Sequence, residues 1–248
     1  MTKSTYILHK ISITIAAMLL CACSLTDHLA PGSTQSHRHS LQAFDTLRVD
    51  AMMQVVIIPD TAQFADVICP EKLHQYVDLS THNGNLHLNH YIGMRPISGY
   101  ELLRIELHTP SLHDIWIYKP CHLSTTDTLT SRNFGLICRT PVVDANICLK
   151  SDHIYISGPW GHNGHSNLQL SGKTKHLDLY IFCADIVNSE ALTSSSTNIE
   201  HWGNADLHIG STQTLHVDNQ KGTGTTYYIG HPTSISIEGD SLRVKPKR

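Results

Sequence analysis

The chain has 248 residues, of which 40% are hydrophobic and only 16% charged, with a formal net charge of −3 when its 19 histidines are counted as neutral. That is enough apolar material for the core of one β domain, while Ser, Thr, Asn and His fill the polar surface that a helical protein would build from Glu, Lys and Ala. No basic stripe is present, so nucleic acid is not expected as a partner.

Residues 1–22 read as a targeting segment. Lys3 and Lys10 form a positive start, and Ile11 to Leu20 is an apolar run too short to span a bilayer. It ends in Leu20-Cys21-Ala22-Cys23-Ser24. This resembles the lipobox of bacterial lipoproteins, with Leu at −3, a small residue at −1 and Cys23 as the acceptor of lipid (palmitate among its acyl chains). An ordinary cleaved secretory signal with an incidental Cys is the alternative. Two or more acyl chains would hold the protein stably on a membrane, at about 0.8 kcal/mol per buried CH₂. Ser24 stands where many inner-membrane lipoproteins carry Asp. The resemblance therefore implies an outer-membrane lipoprotein of a Gram-negative bacterium, surface-exposed or facing the periplasm. Residues 23–43 are polar, contain Pro31-Gly32, and read as a flexible tether.

The expected domain runs over 44–248. Phe44 to Val67 reads as strands broken by the turn Pro59-Asp60, and Glu71 to Tyr76 as a short helical turn. Val77 to Asn89 reads as a hairpin, because Asn83-Gly84 is a strong two-residue turn signal. Leu102 to Leu107 is a further strand, stopped by Thr109-Pro110. From Leu112 on, apolar-x-apolar triplets alternate with small polar turns: Ile115-Trp116-Ile117, Leu136-Ile137-Cys138, Ile154-Tyr155-Ile156, Leu168-Gln169-Leu170, Leu177-Asp178-Leu179, and on to Leu242-Arg243-Val244. Period-two alternation marks half-buried strands. Taken two at a time the triplets recur about every 20 residues, the signature of a solenoid. The expected fold is all-β: a right-handed parallel β-helix with rungs of about 20 residues. Phe44 to Leu107 is expected to cap one end, and Arg243, Lys245, Lys247 and Arg248 to blunt the other.

The order strand, Pro-Asp turn, strand, Asn-Gly hairpin and rungs resembles the head GIN domain family of auto-transporter adhesins. Leu215-x-Val217, Gly222-Thr223-Gly224, Tyr228, Gly230 and Pro232 follow that family's closing pattern, and Thr109-Pro110-x-Leu112 its midpoint. The resemblance implies a β-helical, lipid-anchored or secreted envelope protein and carries no catalytic motif. The chain departs from it at corners holding Lys119-Pro120-Cys121, Arg139-Thr140-Pro141 and Cys183-Ala184-Asp185, where the family favours Gly-x-Gly.

Candidate chemistry is sparse. Ser157 to Asn167 is the longest apolar-poor turn and is expected to protrude, with Trp160, His162, Asn163 and His165 as the candidate ligand-binding residues. A Trp among polar groups on a loop can stack on a sugar or anchor a protein. Trp116 and Trp202, beside rung triplets, read as packing residues. His87, His108, His176, His208 and His216 alternate with aliphatics and point outward, but their irregular spacing does not make the three or four convergent ligands of a metal site. No metal or other cofactor is expected. Cys69, Cys121, Cys138, Cys148 and Cys183 show no zinc spacing and read as packed thiols, with no disulfide pair selected by the sequence. Gly161-His162-Asn163-Gly164 resembles the Gly-His-Gly of pectin hydrolases, but those need clustered aspartates, and the aspartates here are scattered singly. The expectation is a non-catalytic, adhesin-like module held to a membrane by its lipid and binding a glycan or protein. A homo-oligomer is compatible with this, and the alternative is a periplasm-facing scaffold that responds to acid or metal.

Overall fold

In the computed structural model, residues 32–92, 103–159 and 165–247 are described. The apolar-x-apolar triplets lie in strands whose flanking aliphatics point inward and whose middle residue points out, except Leu242-Arg243-Val244, where Leu242 and Arg243 belong to a 3₁₀ turn and Leu242 is exposed. Parallel pairing sets like on like. One inward column runs Leu86, Leu47, Ile115, Leu136, Ile156, Leu179, Ile199, Val217, Ile237 in consecutive register. A second runs Ile105, Val55, Leu123, Ala145, Leu168, Val187, Leu207. Apart from Ile237 on the last rung, these side chains are buried in one continuous core. Each buried Leu, Ile or Val among them contributes about 1.5–3 kcal/mol by leaving water. The result is a β-solenoid of about six turns, with rungs of about 21 residues.

The first face stacks Thr46–Val49, Asp114–Ile117, the ends of Leu129–Cys138, Val143–Ser157 and Asn167–Ile181, then Ser196–His201, Thr214–Asp218 and Ser234–Glu238. The second stacks Met53–Pro59, Cys121–Thr125, the starts of the same two 15-residue strands, then Ile186–Thr193, Leu207–Ile209, Thr226–Tyr228 and Val244–Pro246. In the middle of the stack these long strands bend through a short third face.

The chain starts one rung in. Thr46–Val49 lies between Asn85–His90 and Asp114–Ile117, and Met53–Pro59 lies between Arg104–Thr109 and Cys121–Thr125. Between Pro59 and Asp114 in sequence come first the antiparallel covering strands Phe64–Pro70 and Val77–His82, and then the outermost parallel strands Asn85–His90 and Arg104–Thr109. Val77–His82 closes the first face through the expected hairpin, with Asn83 at φ 50° and Gly84 at φ 78°. Phe64–Pro70 closes the second face, and the expected helical turn is a 3₁₀ turn, Glu71–Tyr76.

Two further details depart from the sequence reading. Thr34–Ser40, placed there in the flexible tether, is a strand paired antiparallel with Phe64–Pro70. It is exposed along its whole length and pinned by the bidentate pair Arg38–Asp66. Its polar residues blunt what would otherwise be a sticky edge, and the free backbone of Phe64–Pro70 is what recruits it. At the opposite end Arg243 is a staple rather than a loose edge charge. Its guanidinium donates to the Gly222 and Asn219 carbonyls and pairs with Asp240.

The interior also holds polar groups. His201 is fully buried, its Nε2–H donating to the Ala205 carbonyl (2.9 Å) and its Nδ1 accepting from the Thr226 hydroxyl (3.2 Å). Burial pushes its pKa below the ordinary value. A depressed His pKa means that the unfolded chain binds the extra proton first, so stability falls as pH drops below about 6.5. We expect thermal melts of the wild type to carry a pH-dependent loss between pH 7 and 5 that His201→Gln removes. The difference in slope is at most about 1.4 kcal/mol per pH unit, and identical slopes would exclude His201 as the source. The described cysteines form no disulfide with one another. Burial pushes the Cys69 thiol up to about 11 and that of Cys121 up to about 12, so neither is a ready nucleophile.

Candidate ligand-binding face

The outward residues of the first face form columns as regular as the core. One column reads Thr46, Asp114, Gly135, Tyr155, Asp178, Asn198, His216. The next reads Arg48, Trp116, Ile137, Ser157, Tyr180, Glu200. Gly135 is a missing tooth in the first column. With no side chain there, Asp114 and Tyr155 face each other across two rung spacings, about 9.6 Å at 4.8 Å per strand. The gap opens a cavity of about 370 Å³ lined by Asp114, Trp116, Gly135, Arg139, His153 and Tyr155, at the small end of ligand-pocket sizes.

Aromatic rings flank this notch on both sides. The Trp116 and Tyr118 ring planes are nearly parallel with centroids 6.4 Å apart, and Arg48 covers Tyr118 at 4.1 Å. The Arg139 guanidinium sits 5.4 Å from the Trp116 ring, a cation–π distance. Beyond the notch Tyr155 leans on Tyr180, centroids 5.1 Å apart. Burial and the negative charges of Asp178 and Glu200 raise the Tyr180 hydroxyl's pKa, so it remains a proton donor.

The charged groups are arranged unevenly. Asp114 Oδ2 pairs with His113 Nδ1 (3.0 Å), and Asp178 Oδ2 with His153 Nε2 (2.7 Å). The other Asp114 oxygen leans over Gly135, into the place a Cβ would take. Among the described residues no carboxylate pairs with Arg139.

The same His–carboxylate motif recurs along the solenoid. His87–Asp50 (3.2 Å), His108–Asp60 (2.9 Å), His122–Asp144 (3.2 Å) and His208–Glu190 (3.1 Å) each bridge neighbouring rungs. The His108 contact, with backbone donors, holds the Asp60 carboxyl below its usual range. The outward direction expected for His87, His108 and His208 is observed; their carboxylate partners were not legible in the sequence. Among the described residues no three His, Cys, Asp or Glu side chains gather into a metal-binding group.

Of the residues singled out from the sequence, Cys23, Trp160, His162 and Asn163 lie outside the described residues. His165 is exposed, and its backbone N–H donates to the Pro141 carbonyl (2.8 Å) at a corner of the solenoid. The next backbone N–H, of Ser166, donates to the fully buried Asp185, whose pKa burial raises. The described foot of the turn is thus fastened to two neighbouring corners. Its first residue, Ser157, lines the notch. Trp116, read from the sequence as a packing residue, is an outward residue of that notch. It occupies the middle of a triplet, where alternation sends a side chain to the outer surface.

The chain matches over residues 43–232 the family described as "Putative auto-transporter adhesin, head GIN domain". Among solved structures it is similar to a putative adhesin from Bacteroides fragilis (TM-score 0.76, 14% identity, covering 86% of this chain and 96% of that one). A putative adhesin from Parabacteroides distasonis gives TM-score 0.58 at 17% identity, covering 87% and 98%. A protein from the same species described as a putative lipid binding protein gives 0.54 at 14% identity, covering 88% and 98%. No curated protein matches. At such identities the structures bear on the fold alone, whereas the family match spans most of the sequence: the chain belongs to the head GIN domain family of putative auto-transporter adhesins.

Proposed function

We propose that the protein is a lipid-anchored, non-catalytic binding module of the bacterial cell envelope, presenting the first face of its solenoid to a glycan, matrix or envelope-protein ligand. The observation that carries this reading is the notch at Gly135 with its exposed aromatics, set on strands whose inner side chains are locked in the core. A rigid scaffold positions such a face without ordering cost at binding. The anchor rests on Leu20-Cys21-Ala22-Cys23-Ser24, and the envelope location and lack of catalysis are supported by the adhesin description of the family. Cys23 carries the lipid, and Trp160, His162, Asn163 and His165 take part in ligand binding.

A second reading, a periplasm-facing scaffold that responds to acid, is favoured by the histidine–carboxylate bridges between rungs, since imidazoles change charge near pH 6.5. Protease shaving of intact cells separates the two. Loss of the domain while a periplasmic control survives is the expected result. Protection until the outer membrane is opened would replace adhesion with the scaffold. Radiolabelled palmitate should label the wild type and not Cys23→Ala; equal labelling would remove the anchor.

A further inference from the structure

We propose that the notch over Gly135 is a saccharide subsite that takes one neutral pyranose residue of a glycan chain. This rests on the reading of the first face as a binding surface and names its ligand chemistry.

The shape argues for a flat ring. The gap is one side chain deep and two rungs tall, bounded by Asp114 on one side and Tyr155 on the other. Tyr155 is 36% exposed, and in its own column the neighbour toward the notch is a glycine. Its ring therefore offers the notch a face that no neighbouring side chain in the column occupies. An aromatic face is electron-rich. The C–H groups on one side of a pyranose are slightly positive and apolar, and stack on such a face while the ring hydroxyls remain free at its edge.

The polar groups match those hydroxyls. A carboxylate oxygen of Asp114 overhangs the notch floor and accepts only. The Arg139 guanidinium lines the same cavity, donates only, and has no carboxylate partner among the described residues. Vicinal hydroxyls both donate and accept, so one sugar can satisfy both groups. An anionic ligand would bring its charge against Asp114, and a cationic ligand against Arg139. A neutral polyol meets neither penalty. His113 and His153 hold Asp114 and Asp178 from the flanks through their side-chain contacts.

Gly135 is the residue that makes the site. Its backbone is not in the left-handed region, and the atom nearest a new Cβ would be a side-chain oxygen of Asp114 rather than backbone. Gly135→Val should therefore fold, with Asp114 turning aside and the notch filled. Tyr155→Ala removes the stacking face without touching the core.

The test is calorimetric titration of the full chain with cellotriose, maltotriose, α-mannotriose and β-galactotriose as neutral probes, and trigalacturonate and sialyllactose as acidic ones. At least one neutral trisaccharide is expected to bind with a Kd of about 1 mM or tighter. Gly135→Val and Tyr155→Ala are each expected to weaken it by about tenfold or more, with melting temperatures close to wild type. If Gly135→Val does not fold, Tyr155→Ala alone decides. Absence of binding to every neutral probe, binding unchanged in the variants, or preference for an acidic probe would each overturn the subsite. These results are independent of cell-surface shaving: an exposed domain that ignores the sugars keeps the binding-module reading and loses the subsite.

Discussion

Gly172→Val is expected to abolish cooperative folding, and Gly172→Ala to lower stability by about 4 kcal/mol or more. Gly172 lies at the bend of Asn167–Ile181, with φ at +109°, a conformation in which a branched side chain is strongly strained. It also stacks between Leu149 and Leu192 of the adjoining rungs. A Cβ there would overlap the Leu149 carbonyl oxygen and come within 3.0 Å of the Leu149 nitrogen. Both obstacles are backbone already hydrogen-bonded in the ladder, so relief requires shifting a whole rung. For a chain of this length about 4 kcal/mol corresponds to a fall of about 8–16 °C in Tm. Circular dichroism melts measure this directly, and a fall under about 3 °C for Gly172→Ala would show that the rung can yield. Gly135, two rungs away on another face, provides the internal contrast: there a new Cβ meets side chains, the movable end of Asp114 and the tip of Ile137, rather than backbone.

Leu179→Ala is expected to cost about 3–4 kcal/mol, whereas Ile237→Ala in the same inward column should cost about 1 kcal/mol or less. Leu179 is fully buried between Ile156 and Ile199 and cannot be replaced without leaving a cavity. Ile237 belongs to the last rung of the first face, with Val217 on one side and no described rung on the other. In a stack where each rung touches only its neighbours, stability is a sum of interface contributions, so equal truncations should grade from the middle to the open end. Urea denaturation of the two variants gives the comparison. Equal losses would mean that the terminal rung is covered by something beyond its own neighbours.

Much of this architecture was legible from the amino acids because alternation reports which side chains point inward. The triplets Ile115-Trp116-Ile117 and Leu177-Asp178-Leu179 are strands with the directions expected, and Asn83-Gly84 turns the hairpin as expected. The notch was not legible, for a reason of register. Alternation is blind to a shift of two residues, which preserves inside and outside but changes which outward residues become neighbours. Ile154-Tyr155-Ile156 does not stack on Leu136-Ile137-Cys138 as one triplet on the next. It stacks on Phe134-Gly135-Leu136, which sets Tyr155 beside the glycine and Ser157 beside Ile137. A two-residue slip in that pairing would set His153 or Ser157, rather than Tyr155, beside the glycine. The edge strand Thr34–Ser40 escaped notice for the opposite reason: every side chain in it is exposed, so no apolar alternation marks it.

The position of Thr46–Pro59 one rung inside the stack has a consequence for assembly. These residues are made early, yet one of their neighbours, Asn85–His90 and Arg104–Thr109, follows only after the excursion to the capped end, and the other, Asp114–Thr125, later still. In a chain appearing N-terminus first, Thr46–Pro59 therefore has no rung to lie on until Asn85–His90 and Arg104–Thr109 have emerged. From Leu129 onward each new coil has a finished coil to lie on, and addition needs only local loop closure. Assembly of this protein thus has one slow initiation and a series of quick additions. Thr46–Pro59 waits for both of its neighbours, and Ser234–Glu238, with a described rung on one side alone, is the first able to peel away.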